Sequence, residues 1–221
     1  MEQQERAERT RRALIRGAAD VFDRIGYERA TLSRISAAAG ATKGALYFHF
    51  STKADLAQAV RDEARTASTA AVDALARRPV LALQTVVDLT HHLSRALRTD
   101  PLTRADVRLS RDAEFPERSR PDCYEEWGAA VRSLLQRAKA DGSLLPDADE
   151  DSVAALALSL VAGAELFSRD GVGDGDDGGA GRGADAEWIA RVWALVLPRL
   201  VPQDRLPLLR PAGIEVGSEG E

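Results

Sequence analysis

The sequence predicts an all-α chain, with an N-terminal three-helix head that carries a helix-turn-helix and a larger helical body behind it. Three observations carry this. Residues 31–53, TLSRISAAAGATKGALYFHFSTK, read as a short helix, a glycine turn and a second short helix that stops at a polar cap. Downstream, apolar residues recur in stripe after stripe at helical spacing. Proline and glycine fall between the stripes, and no alternating run marks a strand.

The first helix is expected over about 6–25, with Leu14, Ala18, Val21 and Phe22 on one face and Ala13, Arg16 and Asp20 on the other. It ends at Gly26-Tyr27. Arg6, Arg9, Arg11 and Arg12 cluster at its start, which suits either a solvated charged face or contacts to a DNA backbone. Thr31 can cap the next helix, whose inward stripe reads Leu32, Ile35 and Ala38. Gly40 sits where the chain must turn with φ > 0. Thr42 can cap the second short helix and, with the free N–H groups there, suits a phosphate. Leu46 and Phe50, four apart, pack inward, which leaves Lys43, Gly44, Ala45, Tyr47 and His49 on the outer face. The next helix carries Lys53 near its start. A cation there opposes the helix dipole, and contact with a phosphate would account for it.

The wording GATKGALYFHFSTKADL resembles the DNA-binding core of TetR-type repressors, in their N-terminal position. KGALYFHF, VRLSRD at 107–112 and the helix around Trp127 are similar to one branch, the γ-butyrolactone autoregulator receptors of actinomycetes. The family resemblance is strong over residues 6–60. The branch resemblance runs more weakly to about residue 168.

Residues 53–77 read as a long helix broken by Arg78-Pro79. Leu83, Val86, Val87, Thr90, Leu93 and Leu97 form the next stripe. Asp100-Pro101 closes that helix and opens a short one through Leu109. Residues 112–121 read as a loop. Asp122 and Glu125 form a capping pair for a helix with Cys123, Trp127, Ala130, Val131, Leu134, Leu135 and Ala138 on its apolar face, stopped by Gly142. Val153, Leu156, Ala157, Leu160, Val161 and Ala164 mark a further stripe. Residues 171–183, GVGDGDDGGAGRG, read as a flexible loop, and Ile189, Val192, Trp193 and Val196 mark the last full helix before Pro198 and Pro202. The expected division is a DNA-binding head at 1–52, a ligand-binding and dimerisation body at 53–211 and a disordered tail at 212–221.

Composition limits the function classes. The net charge is −5, yet residues 1–60 hold ten Lys and Arg against seven Asp and Glu, so the basic excess lies with the helix-turn-helix. One cysteine, Cys123, excludes an internal disulfide framework. With no apolar run of membrane length and a charged N-terminus, the chain is expected to be cytoplasmic. His91 and His92 are adjacent and diverge on a helix, and Cys123 has no histidine partner at a motif spacing. Neither an enzyme nor a metal site is therefore expected, and no cofactor. Gly179, Gly181 and Ala184 match a loose G-x-G-x-x-A, but no strand precedes them, and Asp174, Asp176 and Asp177 miss the spacing of a calcium loop.

The expected partner is a double-stranded DNA operator. Lys43, Gly44 and Ala45 would enter the major groove, Thr42, Tyr47, His49 and Lys53 would hold phosphates, and Thr31, Ser33 and Arg34 would touch the backbone or flanking bases. The resemblance implies a homodimer through helices 148–168 and 185–200. It also implies a small apolar effector of γ-butyrolactone type over Trp127. Spacing alone leaves Trp127 equally able to be a core residue. Cys123, Ala130, Val131 and Leu134 would line the wall of that site, and Val107, Ser110, Val161 and Ala164 would close it. Two other readings stay open: a repressor of an efflux or resistance gene that senses a drug or pathway product, and a DNA-binding protein with no ligand.

Overall fold

A computed structural model describes residues 2–112, 115–116, 122–169 and 181–214. Among these, nine α-helices follow in order: α1 Glu2–Arg29, α2 Leu32–Ala38, α3 Lys43–His49, α4 Lys53–Ala76, α5 Ala82–Thr99, α6 Pro101–Arg111, α7 Cys123–Ala140, α8 Glu150–Arg169 and α9 Gly181–Leu200. A short 3₁₀ turn, Leu206–Leu208, follows them and has no counterpart in the sequence reading. The chain divides into two compact units: a head of Met1–Thr69 with Thr99–Cys123, and a body of Ala70–Arg98 with Tyr124–Glu221.

In the head, α1 is longer than expected and bends at Gly26, where φ is 77°. Its buried face carries Leu14, Ile15, Ala18 and Phe22. The core also takes Ile35 from α2, Leu46 and Phe50 from α3 and its cap, and Leu56 and Val60 from α4. The inward stripe of α2 needs one correction. Ile35 and Ser36 are buried and Leu32 and Ala39 pack against the core, whereas Ala38 is exposed. Positions i, i+3, i+4 and i+7 share a helix face, and i+6 lies off it. The close approach of α2 requires Gly17, because a Cβ there would stand 2.7 Å from the Ala39 amide nitrogen.

The head boundary expected at 52–53 moves outward, for two reasons. The first turns of α4 are part of the head core, and so is α6 with the residues just after it: Ala105, Leu109 and Phe115 are buried in the same cluster. Polar contacts clasp α6 to α1. Arg104 Nε bonds Asp23 Oδ2 at 2.7 Å, Arg108 bonds the Asp23 carbonyl, and the Tyr27 amide donates to Asp112 Oδ2 at 2.9 Å. Arg61 on α4 donates from Nε to Asp106 Oδ1 on α6 at 2.9 Å, both groups being buried. Burial pushes the Asp106 carboxyl above its ordinary value, and the Arg61 bond pulls it back down.

In the body, α5 is buried nearly all round from Ala82 to Thr90. Its first amides are capped from across the chain, the Ala82 N–H by Asp141 Oδ2 at 2.8 Å and that of Leu83 by Ser143 Oγ at 3.3 Å. Trp193 of α9 is fully buried and donates from Nε1 to Thr90 Oγ1 at 2.9 Å. α9 carries Pro198 inside its last turn rather than stopping before it. The expected disordered tail also starts too early. Ile214 donates from its amide to Asp88 Oδ1 at 2.8 Å, and the Pro211 carbonyl pairs with His91 Nε2 at 2.9 Å. Residues 215–221 of that tail and 170–180 of the glycine-rich stretch lie outside the described residues, and Gly181–Gly183 already belong to α9.

Candidate functional site

The head presents α2, a turn and α3 as one rigid unit. Thr31 Oγ1 accepts from the Arg34 amide at 3.2 Å, and Thr42 Oγ1 accepts from the Ala45 amide at 3.1 Å, so both threonines cap as the sequence reading expects. Each such cap contributes about 1 kcal/mol. Gly40, with φ 61°, makes the turn between the helices. Leu46 and Phe50 are buried, which fixes the rotation of α3 about its axis. The Arg11 guanidinium lies over the Phe50 ring, 5.5 Å from its centroid.

That rotation decides the outer face. Lys43 and Gly44 are exposed, and Ala45 and His49 are half-buried. Tyr47 is 59% exposed and Phe48 80%. A Cβ on Gly44 would meet nothing nearer than Thr42 Oγ1 at 3.9 Å, so that stretch of backbone lies open to a partner. On α2, Ser33 and Arg34 are exposed, as is their cap Thr31, and Arg34 Nη1 donates to the Arg29 carbonyl at 3.4 Å. Residues 31, 33, 34, 43, 44 and 47 therefore lie at the surface of one helix-turn-helix.

Phe48 is the residue the sequence reading missed. The signal was present: with Leu46 and Phe50 turned inward, position 48 lies two residues from each, on the far side of the helix. An 80% exposed phenylalanine contributes nothing to the core, and its ring packs edge-on to His49 at 5.0 Å. It is an apolar surface suited to a thymine methyl in a major groove.

Lys53 has a structural explanation that the sequence did not offer. Its Nζ donates to the carbonyls of Tyr27 at 2.7 Å, Ala30 at 3.1 Å and Glu28 at 3.3 Å, and it lies 4.2 Å from the Tyr27 ring centroid. The ammonium thus closes the C-terminal end of α1, where a cation is favoured. A phosphate would have to displace one of these bonds.

The residues expected around a ligand divide between the two units. Val107, Ser110 and Cys123 fall in the head, and Trp127, Ala130, Val131, Leu134, Val161 and Ala164 in the body. Ser110 spends its hydroxyl on the Val107 carbonyl at 2.9 Å. Burial pushes the Cys123 thiol far up, so it stays protonated and is no nucleophile. In the body, Trp127, Val131, Leu134, Val161 and Ala164 are buried and Ala130 is half-buried. α7 and α8 meet closely at Gly128, where a Cβ would stand 3.2 Å from Leu158 Cδ1.

The faces around Trp127 also carry buried polar groups. The Tyr124 ring sits edge-on to Trp127 at 4.9 Å, and its hydroxyl donates to Glu165 Oε2 at 2.7 Å. Glu165 is only 5% exposed, so a carboxylate is buried one bond away from the ring that packs on Trp127. A charge on the apolar stripe of α8, next to Ala164, was the available signal. Among the described residues no three His, Cys, Asp or Glu side chains converge as a metal site would need. No described helix is long and apolar enough to cross a membrane.

Residues 14–60 match the family model described as bacterial regulatory proteins, tetR family. The chain is 32% identical over 213 residues to the A-factor receptor protein of Streptomyces griseus, covering 96% of this chain and 71% of that protein. It resembles the crystal structure of a γ-butyrolactone receptor, an ArpA-like protein, at a TM-score of 0.73 and 34% identity, over 94% of this chain and 96% of that one. It also resembles CprB from Streptomyces coelicolor in complex with its biological operator sequence, at a TM-score of 0.66 and 33% identity, over 91% and 93% of the two chains.

Proposed function

The chain belongs to the tetR family of bacterial regulatory proteins, in the γ-butyrolactone-receptor branch, and from that premise we propose that it binds a palindromic operator as a dimer and leaves it when a γ-butyrolactone-type signal binds. It is a transcriptional repressor, not an enzyme. The observation that carries the proposal is the exposed, unpacked face of α3 around Lys43, Gly44, Tyr47 and Phe48 on an otherwise well-packed head.

Lys43 and Phe48 read base edges in the major groove, and small residues at 44 and 45 let the backbone come close. The Thr42 hydroxyl accepts the Ala45 amide and so keeps its hydrogen for a phosphate, and Tyr47 and His49 hold phosphates beside it. Thr31, Ser33 and Arg34 reach the flanking backbone. If about six phosphates are neutralised, log K falls against log salt with a slope near −5.

Dimerisation uses α8 and α9. Leu166 is 59% exposed and Leu195 77%, apolar surface that a second copy would cover. Trp188, half-buried beside Gly163, belongs to this pair of helices. Trp193 does not belong to the interface, since it is fully buried within the body.

The signal binds beside Trp127, with an apolar tail against Val131, Leu134 and Val161 and a polar headgroup toward the Tyr124–Glu165 pair. A ligand displaces DNA only by preferring the conformation that cannot bind the operator. A thousandfold loss of affinity needs about 4 kcal/mol of such preference. α4 is the lever, because it begins in the head core and ends in the body. The test is a gel shift on the protein's own upstream region, titrated with γ-butyrolactone extract while tryptophan fluorescence is followed. Release with a fluorescence change supports the receptor reading. Binding that ignores the extract keeps the repressor and sinks the butyrolactone assignment.

A further inference from the structure

The body holds a cavity of about 240 Å³, bordered by α5, the end of α4, α9 and the segment 212–214. Leu75, Ile189 and Ile214 supply apolar surface, and His92, Ser94, Arg95 and Arg98 supply polar groups. None of these residues belongs to the set around Trp127.

Three features point to a ligand. The first is Ser94, which is 4% exposed and whose hydroxyl finds no hydrogen-bond partner among the described residues. One turn earlier Thr90 shows the ordinary outcome, donating to the Val87 carbonyl at 2.7 Å and accepting from Trp193. A buried hydroxyl left unpaired is rare and calls for a partner. The second is charge. Arg95 and Arg98 stand one turn apart on α5. The cavity's described carboxylate, Asp88, is already engaged by Arg78 Nη1 at 2.7 Å, Gln84 Nε2 at 2.7 Å and the Ile214 amide at 2.8 Å. Burial first, and the neighbouring Arg95 second, hold the His92 imidazole below its ordinary value.

The third is that the far wall is built. Gln84 grips residue 210 at both ends, its Oε1 accepting the Arg210 amide at 2.6 Å and its Nε2 donating to the Arg210 carbonyl at 3.1 Å. With the Asp88–Ile214 and His91–Pro211 bonds, this pins the strap that forms the cavity wall.

We infer that this cavity binds a small organic carboxylate with an apolar body, its charge paired by Arg95 and Arg98 and one carboxylate oxygen accepting from Ser94 Oγ. The site gives the protein a second small-molecule input, whichever signal binds beside Trp127. Arginine offers five donors, so pairing a ligand carboxylate does not require it to abandon its other contacts.

The test is calorimetric titration of the full chain with benzoate and hexanoate, beside benzamide and hexanamide. The carboxylates should bind and the neutral amides should bind at least about tenfold more weakly. Ser94→Leu fills the cavity and removes the unpaired hydroxyl, and should abolish binding. Arg95→Gln removes the charge of an exposed side chain while keeping its polar end, and should weaken binding about tenfold. No heat from either carboxylate up to about 10 mM overturns the proposal. So does equal binding of the amides, or carboxylate binding that ignores Arg95→Gln.

Discussion

The head and the body keep their informative aromatic residues on opposite sides of the solvent boundary. Phe48 on α3 is 80% exposed, whereas Trp127 on α7 is only 3% exposed and packs edge-on against Tyr124. A surface that reads a large, rigid polymer must be finished before the polymer arrives, so its contact groups stand in water. A site that senses a small molecule must surround it, so its groups are buried. The head spends its packing on fixing the rotation of a seven-residue helix. The body spends its packing on α5, around which its polar contacts gather.

Truncating one aromatic residue in each unit puts this contrast at risk. Trp193→Ala removes a fully buried ring and its N–H bond, and should destabilise the body by about 4 kcal/mol in urea unfolding. Phe48→Ala should leave stability unchanged within about 0.5 kcal/mol. Its cost should appear as roughly a tenfold loss of operator affinity. If Phe48→Ala instead lowers the unfolding midpoint, the α3 ring at position 48 packs into the head and is not a free reading surface. Thr42→Ala probes the boundary between the two roles, since it removes a cap together with the hydroxyl proposed to hold a phosphate. Stability should fall by about 1 kcal/mol and operator affinity should fall as well.

The smallest effect concerns pH in the body. Burial lowers the His91 imidazole from its ordinary 6.5, against the opposing pull of the Pro211 bond and Asp88, and burial with Arg95 lowers His92. Both histidines therefore bind protons more readily in the unfolded chain. Their contribution to stability is present above pH 6.5 and is lost as pH falls through the lower folded values. A His91→Gln, His92→Gln double variant should lose less stability than the parent between about pH 7.5 and pH 5.5. Asp106, whose carboxyl is raised by burial, works in the opposite sense but is shared by both proteins and cancels.

What was legible in the sequence was local. Thr31, Gly40 and Thr42 act on groups two to four residues away, so their roles as caps and turn could be read off the spacing. The residues that misled act over long stretches of chain. Lys53 looked like a phosphate ligand because its partners, the carbonyls at 27, 28 and 30, lie more than twenty residues back. α6 was expected in the body because its clasp on Asp23 and Tyr27 spans more than eighty residues. Residues 212–214 were expected in a disordered tail because the group that holds them, the Asp88 carboxylate that accepts the Ile214 amide, reads as an ordinary helix residue more than a hundred positions back. Glu165 is the instructive omission: a lone carboxylate on an apolar stripe, with Tyr124 as its partner in space, marks a polar spot in a buried face.

Reading and sensing should be separable in this protein, the first on α3 and the second around Trp127. One gel-shift titration decides it, run on the parent, Lys43→Ala and Trp127→Ala proteins with and without γ-butyrolactone extract. Lys43→Ala should lose operator affinity, while Trp127→Ala should hold the operator at parental affinity and no longer release it. A Trp127→Ala protein that binds and releases DNA like the parent would contradict the separation.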